Sequence, residues 1–275
     1  MGRDAMQRAN GIPLLGYGTY PLTGAEARDG VAMALDLGLR HIDTAQLYDN
    51  EKDVGQAIAR SGIGRDEIYL VTKISRDNLG RRHFIHSLQD SLEKLVVEQV
   101  DLLLIHWPPD EEDFDSAIDS LCVAQASGLA RAIGVSNFTI PLMKRAAKRA
   151  SLPLINNQVE FHPLLDQSRV REEAGKLGIV LSAYSPLGRG AVLKDPTVRD
   201  VAGRLGRPPS EIALRWIVQQ GVVALPMTTK PDNARSNMRI FDFELSPADM
   251  ATLSEASRQN RRLISPTGWA PKWDK

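Results

Sequence analysis

One alternation runs the length of this chain: a short apolar run, a polar loop, then an amphipathic segment of about a dozen residues, eight times over. Leu14 to Tyr20 is the first run and carries Gly16 and Gly18. Ala27, Val31, Ala34 and Leu35 then recur at helical spacing before Gly38, placed as a glycine just past a helix end. His41-Ile42-Asp43 follows, and Asn50 stands where it can cap a helix bearing Val54, Ala57 and Ile58. Ile68 to Thr72, Val100 to Ile105, Arg131 to Val135, Leu154 to Val159, Ile179 to Ala183 and Val222 to Leu225 read as the remaining strands. These runs are unbroken rather than alternating, as expected of parallel strands covered on both faces by helices. Eight such units with short connections predict a closed (β/α)8 barrel. The rival doubly wound fold wants a third glycine and an immediate helix after its first strand. Gly16-Tyr17-Gly18-Thr19-Tyr20-Pro21 supplies neither.

A barrel of this type absorbs roughly 250 residues, so the 275 residues are read as a single domain, 1–275. The 34 basic residues balance the 34 acidic ones, leaving no cationic excess to neutralise phosphates, which argues against a nucleic-acid partner. No apolar run approaches the roughly 20 residues of a membrane span. Met1-Gly2-Arg3-Asp4 leads into a polar stretch without a signal-type apolar core, and Met6 stands where a myristoylation motif wants Ser or Thr. The single cysteine, Cys122, lies among Leu121, Val123 and Ala124 and reads as core in a reducing compartment. The expectation is a cytoplasmic monomer acting on a small molecule, without a membrane partner.

Chemistry in such a barrel gathers at the C-terminal ends of the strands. There the chain delivers Asp43-Thr44, Lys73, His106-Trp107, Ser136-Asn137, Gln158 with Glu160, Tyr184-Ser185 and Thr228-Thr229, a polar floor ringed by Tyr20, Trp107 and Phe138. Each has a plain structural reading alone: Asp43 as a cap, Lys73 as a solvated edge charge, His106 as a loop histidine, Glu160 as a brace for loop backbone. Together they put four reactive groups on one face. Tyr48 lies five residues past Asp43, far enough for its loop to fold back over the mouth. A phenol has an ordinary pKa near 10, and an ammonium within hydrogen-bonding distance favours the phenolate. Lowering that pKa by about two units needs roughly 2.7 kcal/mol, within reach of a charge at about 4 Å. Tyr48 is thus the expected general acid, Lys73 its activator, Asp43 the holder of Lys73, and His106 the donor that orients a carbonyl oxygen.

No side chain here is an obvious attacking nucleophile. H-E-x-x-H, C-x-x-C and G-x-S-x-G are absent from the sequence, so zinc hydrolysis and a serine elbow have no support and no metal site is expected. A hydride from a nicotinamide would fill the gap. Two other readings stay open. One is a non-catalytic nicotinamide-binding sensor. The other is a glycosidase-like barrel pairing Asp43 with Glu160, which leaves Tyr48, Lys73 and the Ser136-Asn137 cluster unexplained.

From Ile12 to Trp273 the chain resembles the aldo-keto reductases. The carriers are Leu15-Gly-Tyr-Gly-Thr19, His41-Ile-Asp-Thr-Ala-Gln-Leu-Tyr-Asp-Asn-Glu51, Val71-Thr-Lys73, Asp101-Leu-Leu-Leu-Ile-His-Trp-Pro108, Ile133-Gly-Val-Ser-Asn-Phe138 and Asn157-Gln-Val-Glu160. The resemblance implies a catalytic tetrad of Asp43, Tyr48, Lys73 and His106, with Tyr48 as proton donor. It also implies that Ser136, Asn137 and Gln158 bind a nicotinamide carboxamide and that Tyr184 stacks on its ring. Thr19 joins this cofactor set, and Ser185, Pro186, Leu187 and Gly188 approach the pyrophosphate. Leu263-Ile-Ser-Pro-Thr-Gly-Trp-Ala-Pro-Lys-Trp273 and Asn137-Phe-Thr-Ile-Pro-Leu-Met143 resemble the short bacterial diketogluconate-reductase branch of the family. That branch implies reduction of methylglyoxal, keto-sugar acids and assorted aldehydes, aromatic ones included, and the short tail implies an open site.

One stretch departs from the family pattern. After the eighth strand the family commonly has Pro-Lys-Ser/Thr, with Arg and then Asn downstream, around the adenosine 2′-phosphate. Here Pro226-Met227-Thr228-Thr229-Lys230-Pro231-Asp232-Asn233 puts Met227 at the usual Lys and Asn233 at the usual Arg. A bidentate Arg contact is lost, while Thr228, Thr229, Lys230, Arg235 and Asn237 remain to replace it. The expectation is NADPH, with NADH less strongly rejected than is usual.

Overall fold

The structure is a computed structural model and describes residues 7–80 and 82–274. The first six residues, on which the reading of the amino terminus rests, lie outside them. Eight parallel strands form one sheet in sequence order: β3 (Tyr17–Gly18), β4 (His41–Asp43), β5 (Tyr69–Ile74), β6 (Val100–Ile105), β7 (Ala130–Ser136), β8 (Leu154–Glu160), β9 (Val180–Tyr184) and β10 (Val223–Ala224). The sheet closes on itself where Leu15 bridges Ala224, with the Gly16 N–H donating to the Ala224 carbonyl at 2.9 Å and the Ala224 N–H to the Leu14 carbonyl at 2.8 Å. The two glycines of the first run make that seam possible. A Cβ at Gly16 would stand 2.6 Å from Leu225 Cδ2, and one at Gly18 3.1 Å from the Leu225 carbonyl oxygen. They serve strand closure rather than a phosphate turn.

The helices follow the amphipathic segments: α1 (Gly24–Asp36), α2 (Glu51–Arg60), α3 (Phe84–Leu95), α4 (Phe114–Ala126), α5 (Ile140–Arg149) and α6 (Ser168–Lys176) each succeed one strand. Two pairs, α7 (Pro196–Leu205) with α8 (Pro209–Val218) and α9 (Pro231–Met238) with α10 (Pro247–Ala256), succeed β9 and β10. Their apolar stripes pack on strands that are buried nearly throughout, and Cys122 is a buried free thiol in α4. Asn50 does occupy the N-cap position of α2, but its side chain makes no cap bond. Its amide donates to the Leu22 carbonyl at 2.7 Å and accepts from Thr44 Oγ1 at 2.6 Å, tying α2 to the loops above β3 and β4. An unforeseen hairpin, β1 (Arg8–Ala9) with β2 (Ile12–Pro13), precedes the barrel. Asn10 and Gly11 turn it through left-handed conformations, as an Asn-Gly hairpin requires. Among the described residues no helix is long and apolar enough to cross a membrane.

Gly55 marks the closest approach of α2 to α3: a Cβ there would lie 2.5 Å from the Lys94 carbonyl oxygen. Gly55→Ala should therefore destabilise by about 1–3 kcal/mol through overpacking, lowering Tm by roughly 2–4 °C per kcal/mol. Gly175→Ala on α6, whose new methyl meets nothing within 4 Å, should stabilise by about 0.4–1 kcal/mol. Thermal unfolding of both variants checks this, and a Gly55→Ala midpoint at or above that of wild type would contradict it.

Candidate active site

Lys73 reaches the barrel interior from the C-terminal end of β5 and has no exposed surface. Its ammonium donates to Asp43 Oδ1 at 2.6 Å, to the Thr44 carbonyl at 2.8 Å and to Tyr48 Oη at 3.3 Å. Asp43 closes β4, the neighbour of β5, and its other oxygen accepts from Gln158 Nε2 at 2.7 Å across the barrel. Removing one partner of such a buried pair leaves an uncompensated charge, at a penalty of about 3–5 kcal/mol. Lys73 is not the solvated edge charge that its isolated reading allows.

Tyr48 ends a short 3-10 turn, Gln46–Tyr48, that folds back over the mouth. Gln46, which the sequence reading did not single out, anchors that turn. Its amide donates to the Ser87 carbonyl and to Ser91 Oγ, both at 3.0 Å, and accepts from the Ser75 N–H at 2.8 Å. The Tyr48 ring lies between Tyr20, with centroids 5.1 Å apart, and His106, 5.4 Å away and edge-on. His106 follows β6, and its buried Nδ1 has no partner among the described residues. Burial, reinforced by the Lys73 charge, holds this imidazole well below its ordinary pKa, so the ring is neutral. A neutral imidazole carries a single proton, on Nδ1 or on Nε2.

The expectation that Lys73 acidifies the resting phenol is overturned. Burial pushes Tyr48 well above the ordinary tyrosine range, and the Asp43 carboxylate adds to the shift. Burial also draws Lys73 down, against the pull of Asp43. The ammonium is already neutralised by Asp43, so desolvation of the phenolate dominates.

Around this floor stands a second set of polar groups. Ser136 donates to the Gln158 carbonyl at 2.8 Å. Asn137, left-handed at φ 64°, donates to the His106 carbonyl at 3.0 Å and accepts from the Tyr184 hydroxyl at 2.7 Å. A cavity of about 960 Å³ runs from Tyr20, Tyr48, His106 and Trp107 past Asn137, Gln158 and Tyr184 to Pro226 and Met227. Thr19, Ser185, Pro186 and Leu187 also line it, while Lys73, Ser136 and Gly188 stand outside its surface. Phe138 is not on the pocket wall. It is buried against Phe114 of α4, centroids 5.9 Å apart, because the left-handed Asn137 directs the next residue into the core.

Thr228, Thr229, Lys230 and Arg235 lie beyond the cavity, the first three at the entry to α9 and Arg235 in its last turn. Thr228 Oγ1 accepts from the Lys230 N–H at 3.1 Å, exposed Arg235 pairs with Asp232, and Asn237 is buried within α9. The short tail does not leave the mouth bare, as Leu263, Ile264 and Trp269 form part of its wall.

The chain matches the model of the aldo/keto reductase family over residues 11–258. It is 43% identical to methylglyoxal reductase DkgB of Yersinia pestis over 96% of its own length and 99% of that protein's. A solved structure designated a candidate 2,5-diketo-D-gluconic acid reductase B superposes with a TM-score of 0.94 at 42% identity, covering 97% of this chain and 96% of that one. A Bombyx mori aldo-keto reductase in complex with NADP does so at 0.87 and 31% identity, covering 94% and 93%. The chain belongs to the aldo/keto reductase family and is an NAD(P)H-dependent oxidoreductase that reduces carbonyl groups.

His106 gives a signed pH test. In the unfolded chain it takes up a proton below about pH 6.5, whereas the folded ring resists, so below that pH protons favour the unfolded state and stability falls. His106→Gln lacks this loss. Relative to wild type, its unfolding free energy should rise by about 1.4 kcal/mol per pH unit between roughly pH 6.5 and 5. Denaturant titrations along that series check it, and parallel pH profiles would contradict it.

Proposed function

We propose that this aldo/keto reductase converts small 2-oxoaldehydes such as methylglyoxal, keto-sugar acids and aromatic aldehydes to alcohols with NADPH, Tyr48 supplying the proton. The observation that carries this reading is one ammonium shared between Asp43 Oδ1 at 2.6 Å and Tyr48 Oη at 3.3 Å, under a cavity wall bearing neutral His106. His106 Nε2–H and Tyr48 O–H would both donate to the substrate oxygen, fixing the carbonyl for attack. The bound nucleotide would supply the hydride to the carbonyl carbon. As negative charge reaches the oxygen, Tyr48 transfers its proton there, completing the alcohol, and solvent later restores the phenol. A phenol whose pKa is raised by burial holds its proton until the substrate oxygen takes it. The ammonium acts on the phenolate as it forms, where a preorganised charge contributes most.

The residues suit a dinucleotide. Gln158 gives its N–H to Asp43 and keeps its carbonyl for a carboxamide N–H. Asn137 and Tyr184 offer further polar atoms along the same wall. Ser185, Gly188, Arg189 and Gly190 are all left-handed, folding a tight turn onto the cavity. Arg189 stands exposed on that wall with no ion pair to another described residue, a ready partner for a pyrophosphate. Lys230 and Arg235 would meet the 2′-phosphate, with Met227 in place of a cation and Asp232 competing for Arg235. The buried, unpaired Cys122 fits work in the cytoplasm.

Tyr48→Phe should lower kcat for methylglyoxal by at least about 10²-fold, the usual scale of a lost general acid, while leaving NADPH affinity within about twofold. Fluorescence titration and NADPH-oxidation rates check both, and substantial residual kcat would remove Tyr48 from the role. In the same titration NADPH should bind more tightly than NADH; the reverse order would refute the cofactor assignment.

A further inference from the structure

Two residues beyond Gln158 on β8, Glu160 is completely buried and belongs to none of the contacts above. Both of its oxygens are turned toward the carboxyl-terminal tail. Oε1 accepts the Leu263 N–H at 2.7 Å and Oε2 the Ile264 N–H at 2.9 Å. His162 and Arg262 add to the set: His162 Nδ1 accepts the Leu164 N–H at 3.2 Å, so its proton is on Nε2, 3.0 Å from Glu160 Oε1, and Arg262 Nη1 stands 3.9 Å from Oε2. A buried carboxylate with two backbone N–H bonds and a histidine is a strong, directional anchor. The chain it anchors continues as the cavity wall, through Leu263, Ile264, Ser265, Pro266 and Trp269. At the far end Arg76 donates to the Gly268 carbonyl at 2.6 Å, and Trp273 packs between the Arg262 guanidinium and Trp107.

We infer that Glu160 is a positioning residue that sets selectivity for substrate size, by holding the strap of residues 263–269 as the outer wall of the substrate cavity. The inference rests on reading that cavity as the carbonyl site. Methylglyoxal is small enough to be seated by Tyr48 and His106 alone, whereas an aromatic aldehyde extends to the strap and gains binding there. Glu160→Gln keeps the volume but exchanges one acceptor for a donor, so one strap N–H loses its partner.

E160Q should lower kcat/KM for 4-nitrobenzaldehyde about tenfold more than for methylglyoxal, through KM rather than kcat, as expected for a lost wall contact. R76A, which frees the strap at its other end, should shift the same ratio in the same direction. By hydrogen exchange, the Leu263 and Ile264 amides should be protected in the wild type. In E160Q they should exchange at least about tenfold faster, while those of β5 do not, a local opening rather than general loosening. Unaltered protection of the two amides in E160Q, or an unaltered substrate ratio, would overturn the inference. Should E160Q not fold, wild-type protection of the two amides and the ratio in R76A decide it. If the wild type turns over neither aldehyde, the carbonyl-site reading fails, while the exchange measurement still reports whether Glu160 holds the strap.

Discussion

An ammonium with no exposed surface can persist inside a barrel only if its lost hydration is replaced, and at Lys73 it is replaced by three fixed oxygens. Asp43 is the decisive one, and its second oxygen is engaged by Gln158 from the opposite side of the barrel. The charge is thereby held at one point in space by β4, β5 and β8 together, and the phenol of Tyr48 is brought to it. Burial keeps that phenol protonated and His106 neutral. A protonated phenol and a neutral imidazole are thereby gathered around one desolvated lysine.

The centre of the site and its edge are built from different parts of the fold. Asp43, Lys73, Gln158 and Glu160 project from strands whose neighbours fix their register. The outer contacts come from segments between and after the strands: the turn at residues 185–190, the stretch at Pro226 and Met227, and the tail suspended from Glu160. The buried polar floor belongs largely to the strands, whereas much of the outer wall of the cavity comes from these loops, as expected where a scaffold carries variable connections.

Much of this was legible in the sequence because it depends on local pattern. Unbroken apolar runs between amphipathic segments point to the barrel, and the polar residues at the strand ends mark the end at which the cavity opens. What was not legible depends on distance between segments. Phe138 looks like a pocket aromatic until the left-handed Asn137 turns it into the core against Phe114. Asn50 occupies a cap position, yet its side chain is drawn to Leu22 and Thr44. The direction of the Tyr48 shift is not legible either, because the sequence shows the proximity of Lys73 but not the desolvation that accompanies it. Gln46 lay within a recognised motif, but its task depends on Ser75, Ser87 and Ser91, remote in sequence. The Asn10-Gly11 hairpin, by contrast, is a purely local signal.

The central claim is that Lys73 and Tyr48 act as a single unit on the developing charge, and a double-mutant cycle on the hydride-transfer step tests it most directly. Single-turnover rates with NADPH and methylglyoxal would be compared for wild type, Lys73→Met, Tyr48→Phe and the double variant, all confirmed to be folded. If the ammonium works through the phenol, removing Lys73 after Tyr48 slows transfer little further, as expected for groups that function together. If the two losses multiply, Lys73 acts on the reaction independently of Tyr48, and the account is wrong.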